Sequence, residues 1–138
     1  MTNVVLLDAG GLASLRSSLL RTYLRAAIAR GAQVWCSSIT IAEVARGRDR
    51  SAELHHALRR EAVRVKIPDQ AEAFVIGSLL HDARLDSSSI ADACVVSLAR
   101  RTTGAVVITT DPSDIRHLAD HLPGVRITTR HPDLTRSA

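Results

Sequence analysis

The sequence predicts an α/β fold, with a central parallel sheet covered by helices on both faces. Three observations point there. The runs Val4-Val5-Leu6-Leu7, Val34-Trp35-Cys36 and Ala105-Val106-Val107-Ile108 are continuously apolar and read as buried strands. The segments between them carry apolar residues at helical spacing. Strand and helix patterns alternate along the chain, which yields parallel strands joined by helical crossovers.

The elements follow in order. Val4 to Leu7 reads as a central strand, broken by Gly10-Gly11. Residues 12–30 carry Leu12, Leu15, Leu19, Tyr23 and Ala27 on one stripe, an amphipathic helix ended by Gly31. Val34 to Cys36 is the second strand. Ser37, Ser38 and Thr40 offer caps for a helix through Ile41 and Val44 that stops near Gly47. Residues 46–50 read as a polar loop, 51–62 as a helix and 63–67 as a short strand. Pro68 opens a helix with Asp69 and Glu72 at its positive end, running to about Ala83. The serines at 87–89 cap a helix over 90–101 that Gly104 closes. Residues 105–108 form a strand, 112–122 a short helix and 126–129 an edge strand. One domain over residues 1–130 is expected, with a flexible tail at 131–138.

Composition narrows the function. A 138-residue chain with 46% apolar residues is not disordered. At this size it buries roughly 68–70% of its unfolded surface and needs no staples. Tyr23, Trp35 and Phe74 are its only aromatics, so an aromatic stacking platform for nucleic acid is not expected. Basic residues number 18 against 14 acids, and all but Lys66 are Arg, the residue suited to bidentate phosphate contact. Cys36 and Cys94 sit in apolar elements without zinc or disulfide spacing and read as buried thiols. The six histidines form no metal-binding pattern. The N-terminal apolar run is too short for a signal peptide, and nothing approaches the ~20 apolar residues of a membrane span. A cytoplasmic location with no membrane partner is expected.

Four carboxylates stand out. Asp8 and Asp111 end apolar strands. Glu43 and Asp92 lie in otherwise small, apolar helix turns, in Ile41-Ala42-Glu43-Val44 and Ile90-Ala91-Asp92-Ala93-Cys94. Open parallel sheets bind ligands at the carboxyl ends of their strands, at a topological switch point. Acids gathered there form a negative pocket that favours a cation, and oxygen donors suit Mg²⁺ or Mn²⁺. With these acids in one pocket, the remaining surface is more basic than the net +4 suggests, which favours a polyanionic partner.

These stretches resemble PIN-domain ribonucleases, and among them the VapC-type toxins of toxin–antitoxin pairs. The resemblance is carried by Val5-Leu6-Leu7-Asp8, by Ile41-Ala42-Glu43-Val44-Ala45-Arg46-Gly47, by the stretch from Ile90 to Ala99 and by Val107-Ile108-Thr109-Thr110-Asp111-Pro112-Ser113-Asp114-Ile115. Gly77 with Leu79-Leu80 is similar to the family's helix before the third acid. The resemblance implies a three-layer α/β/α domain and Mg²⁺- or Mn²⁺-dependent endonuclease activity on RNA. It implies Asp8, Glu43 and Asp92 as the first three acids, with Asp111, Asp114 or both as the fourth. Thr109 matches a hydroxyl that supports the first acid. A homodimer and an antitoxin partner are implied as well. Gly10-Gly11 departs from the Ser or Asn often found after the first acid.

Arg46, Arg100, Arg101 and Arg116 are candidates for phosphate contact. Two other readings compete with the nuclease. One is a catalytically inactive PIN-like domain that binds RNA or protein. The other is a Mg²⁺-binding receiver-like domain, whose acceptor Asp would follow a middle strand; here residues 63–67 lead only to Pro68-Asp69.

Overall fold

The computed structural model describes residues 3–134. Five strands, β1 (Val4–Leu7), β2 (Gln33–Ser37), β3 (Val63–Lys66), β4 (Ala105–Ile108) and β5 (Ile127–Arg130), form one all-parallel sheet in the order β3-β2-β1-β4-β5. The helices are α1 (Ala9–Ala13), α2 (Ser18–Ala29), α3 (Ser38–Val44), α4 (Arg48–Arg60), α5 (Gln70–Asp82), α6 (Ile90–Arg100) and α7 (Pro112–Ala119). The three-layer α/β/α arrangement is the one expected.

Period-two alternation splits β1 between two cores. Val5 and Leu7 join Leu12, Leu20, Leu24, Val34 and Leu54 under α1, α2 and α4. Val4 and Leu6 join Ile76, Leu79, Val95, Leu98 and Leu118 under α5, α6 and α7. All four β1 residues are buried, as a strand covered on both faces requires.

The order of the strands locates the site. The chain winds outward from β1 to β2 and β3, then returns to β4 on the other side of β1. The crevice between the carboxyl ends of β1 and β4 is therefore the switch point. The receiver-like reading does not survive this order. Such folds run 2-1-3-4-5 with the third strand beside the first, whereas β3 here is an edge strand two places from β1.

Several boundaries differ from expectation for local reasons. The helix expected over 12–30 is two helices. Asp8 caps α1 directly after the strand, and Ser17 starts α2 anew by accepting from the Leu20 N–H. The loop expected at 46–50 is shorter, because α4 begins at Arg48. Asp69 rather than Pro68 caps α5, through its carboxylate on the Glu72 N–H at 2.9 Å. The serine cluster forms a short 3-10 turn (Ser87–Ser89) capped by Asp86, and Ser89 gives α6 no side-chain cap. Beyond β5, the Leu134 N–H bonds to the His131 carbonyl and the Asp133 N–H to His131 Nδ1. The rest of the expected tail, 135–138, lies outside the described residues.

Among the described residues no helix is long and apolar enough to cross a membrane.

Candidate active site

Asp8 is fixed by three donors. It ends β1 and caps α1, accepting from the Gly11 N–H at 2.9 Å, with the Gly10 N–H and the Thr109 hydroxyl on the same carboxylate. The tight seat depends on the two glycines. A Cβ on Gly11 would stand 2.7 Å from the Ile108 carbonyl oxygen, and one on Gly10 would stand 2.6 Å from Thr110 Oγ1. The Gly-Gly pair was legible as a break; its role in bringing α1 down onto the end of β4 was not. Burial pushes the Asp8 carboxyl above the usual range and Asp111 adds to this, while the three donors act the other way.

Asp92 lies in the first turn of α6, near the carboxyl ends of β1 and β2, half-buried. Its pKa is pushed up to about 6, first by burial and then by the charges of Asp8, Asp114, Glu43 and Asp111. Four carboxyls thus act on Asp92, although the five are spread over 107 positions of sequence from Asp8 to Asp114, counting both ends. Glu43 stands exposed on α3, which lies against both α1 and α6. Ser37 starts α3 by accepting from the Ile39 N–H at 3.0 Å.

Thr109 joins the two halves of the crevice. It is fully buried; its hydroxyl supports Asp8 and accepts from the Asp111 N–H at 2.9 Å. Asp111 occupies the cap position of α7, yet its side chain makes no capping bond. Its Oδ1 instead accepts from the Ser113 hydroxyl at 2.9 Å. Asp114 is raised above the usual carboxyl range, by partial desolvation and then by a hydrogen bond and like charge from Asp111; His117 acts the other way.

The candidate arginines divide. Arg46 follows α3 close to Glu43, its Nε donating to the Glu43 carbonyl at 3.4 Å. Arg116 extends from α7 to Thr129 Oγ1 at 2.8 Å. Arg100 and Arg101 end α6, about 12 Å of helix from Asp92. They lie away from the carboxyls, and Arg101 pairs with the buried Glu72 at 2.9 Å. That pairing is oblique, since neither Glu72 oxygen accepts a directed hydrogen bond.

The donor set fits a hard divalent cation, because it is all oxygen and mutually repulsive. Among the described residues no three of these groups stand close enough to form a ready-made cage. An open set suits Mg²⁺, which keeps several of its waters and takes few protein ligands. The buried thiols lie outside this chemistry. Burial lifts Cys36 to about 12 and also raises Cys94, whose Sγ is 3.1 Å from Ser37 Oγ.

A model of the PIN domain family matches residues 5–120. Among solved structures, a chain of VapBC2 from Rickettsia felis, bound to a DNA fragment from their promoter, is similar with a TM-score of 0.67 and 16% identity, over 91% of this chain and 98% of that one. A chain of VapBC-1 from nontypeable Haemophilus influenzae has a TM-score of 0.62 and 15% identity, over 91% and 97%. Among curated protein sequences none matches.

Proposed function

This chain belongs to the PIN domain family, and from that premise we propose that it is a metal-dependent endoribonuclease acting as the toxin of a toxin–antitoxin pair. The observation that carries the proposal is the set of charges raising Asp92, which come from Asp8, Glu43, Asp111 and Asp114 around one switch point. Asp8, Asp92, Asp111 and Asp114 would hold Mg²⁺ or Mn²⁺, with Glu43 beside them. When bound, the cation lowers the pKa of a water and offsets charge on phosphate oxygens. The chain's part is to hold acceptors in place. Thr109 and the Gly10 and Gly11 N–H groups orient Asp8.

The toxin reading is supported by the resemblance to VapC-type proteins and by the likeness to chains from two VapBC structures. An antitoxin and a second copy of the chain are the implied partners. Among the large apolar residues of the segments 12–30 and 70–83, Leu12, Leu15, Leu20, Ile76, Leu79 and Leu80 belong to the core. Leu19 and Phe74 remain exposed. Phe74 points outward because it lies about 200° around α5 from Ile76.

The test is cleavage of RNA by the purified full chain. Activity is expected with Mg²⁺ or Mn²⁺ and not with EDTA, together with growth arrest on expression, relieved by the product of an adjacent small gene. Robust cleavage in EDTA, or full cleavage by Asp92→Asn, would sink the mechanism.

A further inference from the structure

The two edges of the sheet differ on the face that carries α1–α4. At one edge, Val63 and Val65 line an apolar groove with Leu54 and Leu58. At the other edge the alternation is basic. Ile127 packs on the α7 side and Thr129 is buried, so Arg126, Thr128 and Arg130 fall on the opposite face. There an open trough of about 590 Å³ runs between β5 and α2, lined by Tyr23, Arg30, Arg126 and Thr128. Arg130 continues the line, its guanidinium 5.7 Å from the centre of the Tyr23 ring. Among the described residues Arg30, Arg126 and Arg130 have no acidic partner. Three unneutralised guanidiniums repel one another and favour an anion between them.

The register connects this trough to the carboxyls. Arg130 stands in one cross-strand row with Ile108 and Leu7, the residue before Asp8. Two strand spacings, about 10 Å, separate that row's ends. From Arg130 the basic line descends four residues, about 13 Å, to Arg126.

We propose that this trough seats the phosphate backbone of single-stranded RNA lying across the acid site, with Arg30, Arg126 and Arg130 on successive phosphates. The proposal deepens the ribonuclease reading and rests on it for the identity of the polyanion. The charge favours RNA over a protein segment: guanidiniums without acidic partners line the trough and continue beyond it, whereas the opposite edge offers the apolar floor a peptide would use. A second copy of the same basic surface is disfavoured by like charge.

The experiment compares the full chain with the triple variant Arg30→Gln, Arg126→Gln, Arg130→Gln. All three side chains belong to exposed residues, and retention of the fold is checked by circular dichroism. Binding of a fluorescein-labelled single-stranded oligoribonucleotide is followed by anisotropy in EDTA across a salt series. Hydrolysis of bis(p-nitrophenyl) phosphate with Mn²⁺, a diester too small to reach the trough, is measured in parallel. The variant is expected to bind RNA roughly ten-fold or more weakly, with the slope of log K against log salt reduced by about 2. Its turnover of the small diester should be unchanged. Unaltered RNA affinity and slope would overturn the trough and leave the ribonuclease reading standing. Weakened binding, in a protein whose wild type cleaves no RNA with either metal, would remove the ribonuclease reading and keep the trough as an RNA site. A wild type that binds no RNA, or a variant that loses only an acidic protein partner, would overturn the proposal.

Discussion

Gly11 and Ile108 meet at one carbonyl. The Ile108 oxygen accepts the Asp8 N–H at 3.3 Å, and it lies 2.7 Å from where a Gly11 Cβ would be. The first turn of α1 is thereby seated on the end of β4, and its N–H groups reach the Asp8 carboxylate. The approach that positions the first acid is open only to glycine.

Gly11→Ala is expected to cost about 1–3 kcal/mol, because the neighbouring atom is backbone and cannot swing away. Gly77→Ala is the opposite case. Gly77 lies within α5 with nothing within 4 Å of its would-be Cβ, so alanine there should stabilise by about 0.5–1 kcal/mol. Urea unfolding of both variants checks this. Equal effects of the same sign would refute the close approach.

The contrast marks what sequence reveals. Strands β1, β2 and β4 are readable because a strand buried on both faces must be continuously apolar. The four candidate acids stand out in the sequence because Asp8 and Asp111 follow apolar strands and Glu43 and Asp92 interrupt small, apolar helix turns. The break between α1 and α2 is hidden, since Leu12, Leu15 and Leu19 keep helical spacing across it while only Ser17 marks the restart. Nothing local marks Glu61, because beyond its neighbour Arg60 its partner Arg25 reaches it from α2 only through the fold. The contact between Asp111 and Asp114 depends likewise on side-chain directions that spacing does not specify.

Asp92 predicts how the metal-free protein responds to pH. Its pKa rises from 3.8 to about 6 on folding, so the folded state holds the proton more tightly. Its contribution to stability is full below about pH 4 and is lost as pH rises through about 6. In EDTA, Asp92→Asn should gain on the order of 1–3 kcal/mol relative to wild type at pH 7 and little at pH 4. Its RNA cleavage should fall roughly 100-fold or more. Thermal melts at the two pH values decide; a variant less stable than wild type at pH 7 counts against the crowded-carboxyl account.

Glu61 gives the opposite sign. Burial opposes its charge, but hydrogen bonds and charges from Arg60 and Arg25 outweigh burial and hold the carboxyl below its usual range. Its contribution is present above about pH 4.5 and disappears as pH falls through the lowered folded value. Glu61→Gln should cost about 1–3 kcal/mol near neutrality, moderated because the Arg25 side chain is largely exposed and can be hydrated. The loss should shrink in acid. An unchanged urea midpoint at pH 7 would show the pairing to be energetically idle.

Asp111 and Asp114 are expected to behave as one unit. They share a hydrogen bond, Asp114 is raised by Asp111, and both act on Asp92. Asp111 lies just beyond β4 and is anchored through Thr109, whereas Asp114 lies in the first turn of α7. Replacing Asp111 by Asn should therefore weaken Mn²⁺ binding the more, about 10–100-fold, and replacing Asp114 less. In the double variant the losses should fall short of additive, because the two carboxyls are in contact and each single change already disturbs the other. Titrating Mn²⁺ against the melting temperature of the four proteins measures this without reference to turnover. Singles that bind Mn²⁺ as tightly as wild type would exclude both residues from the metal site and leave Asp8 and Asp92 to hold the ion.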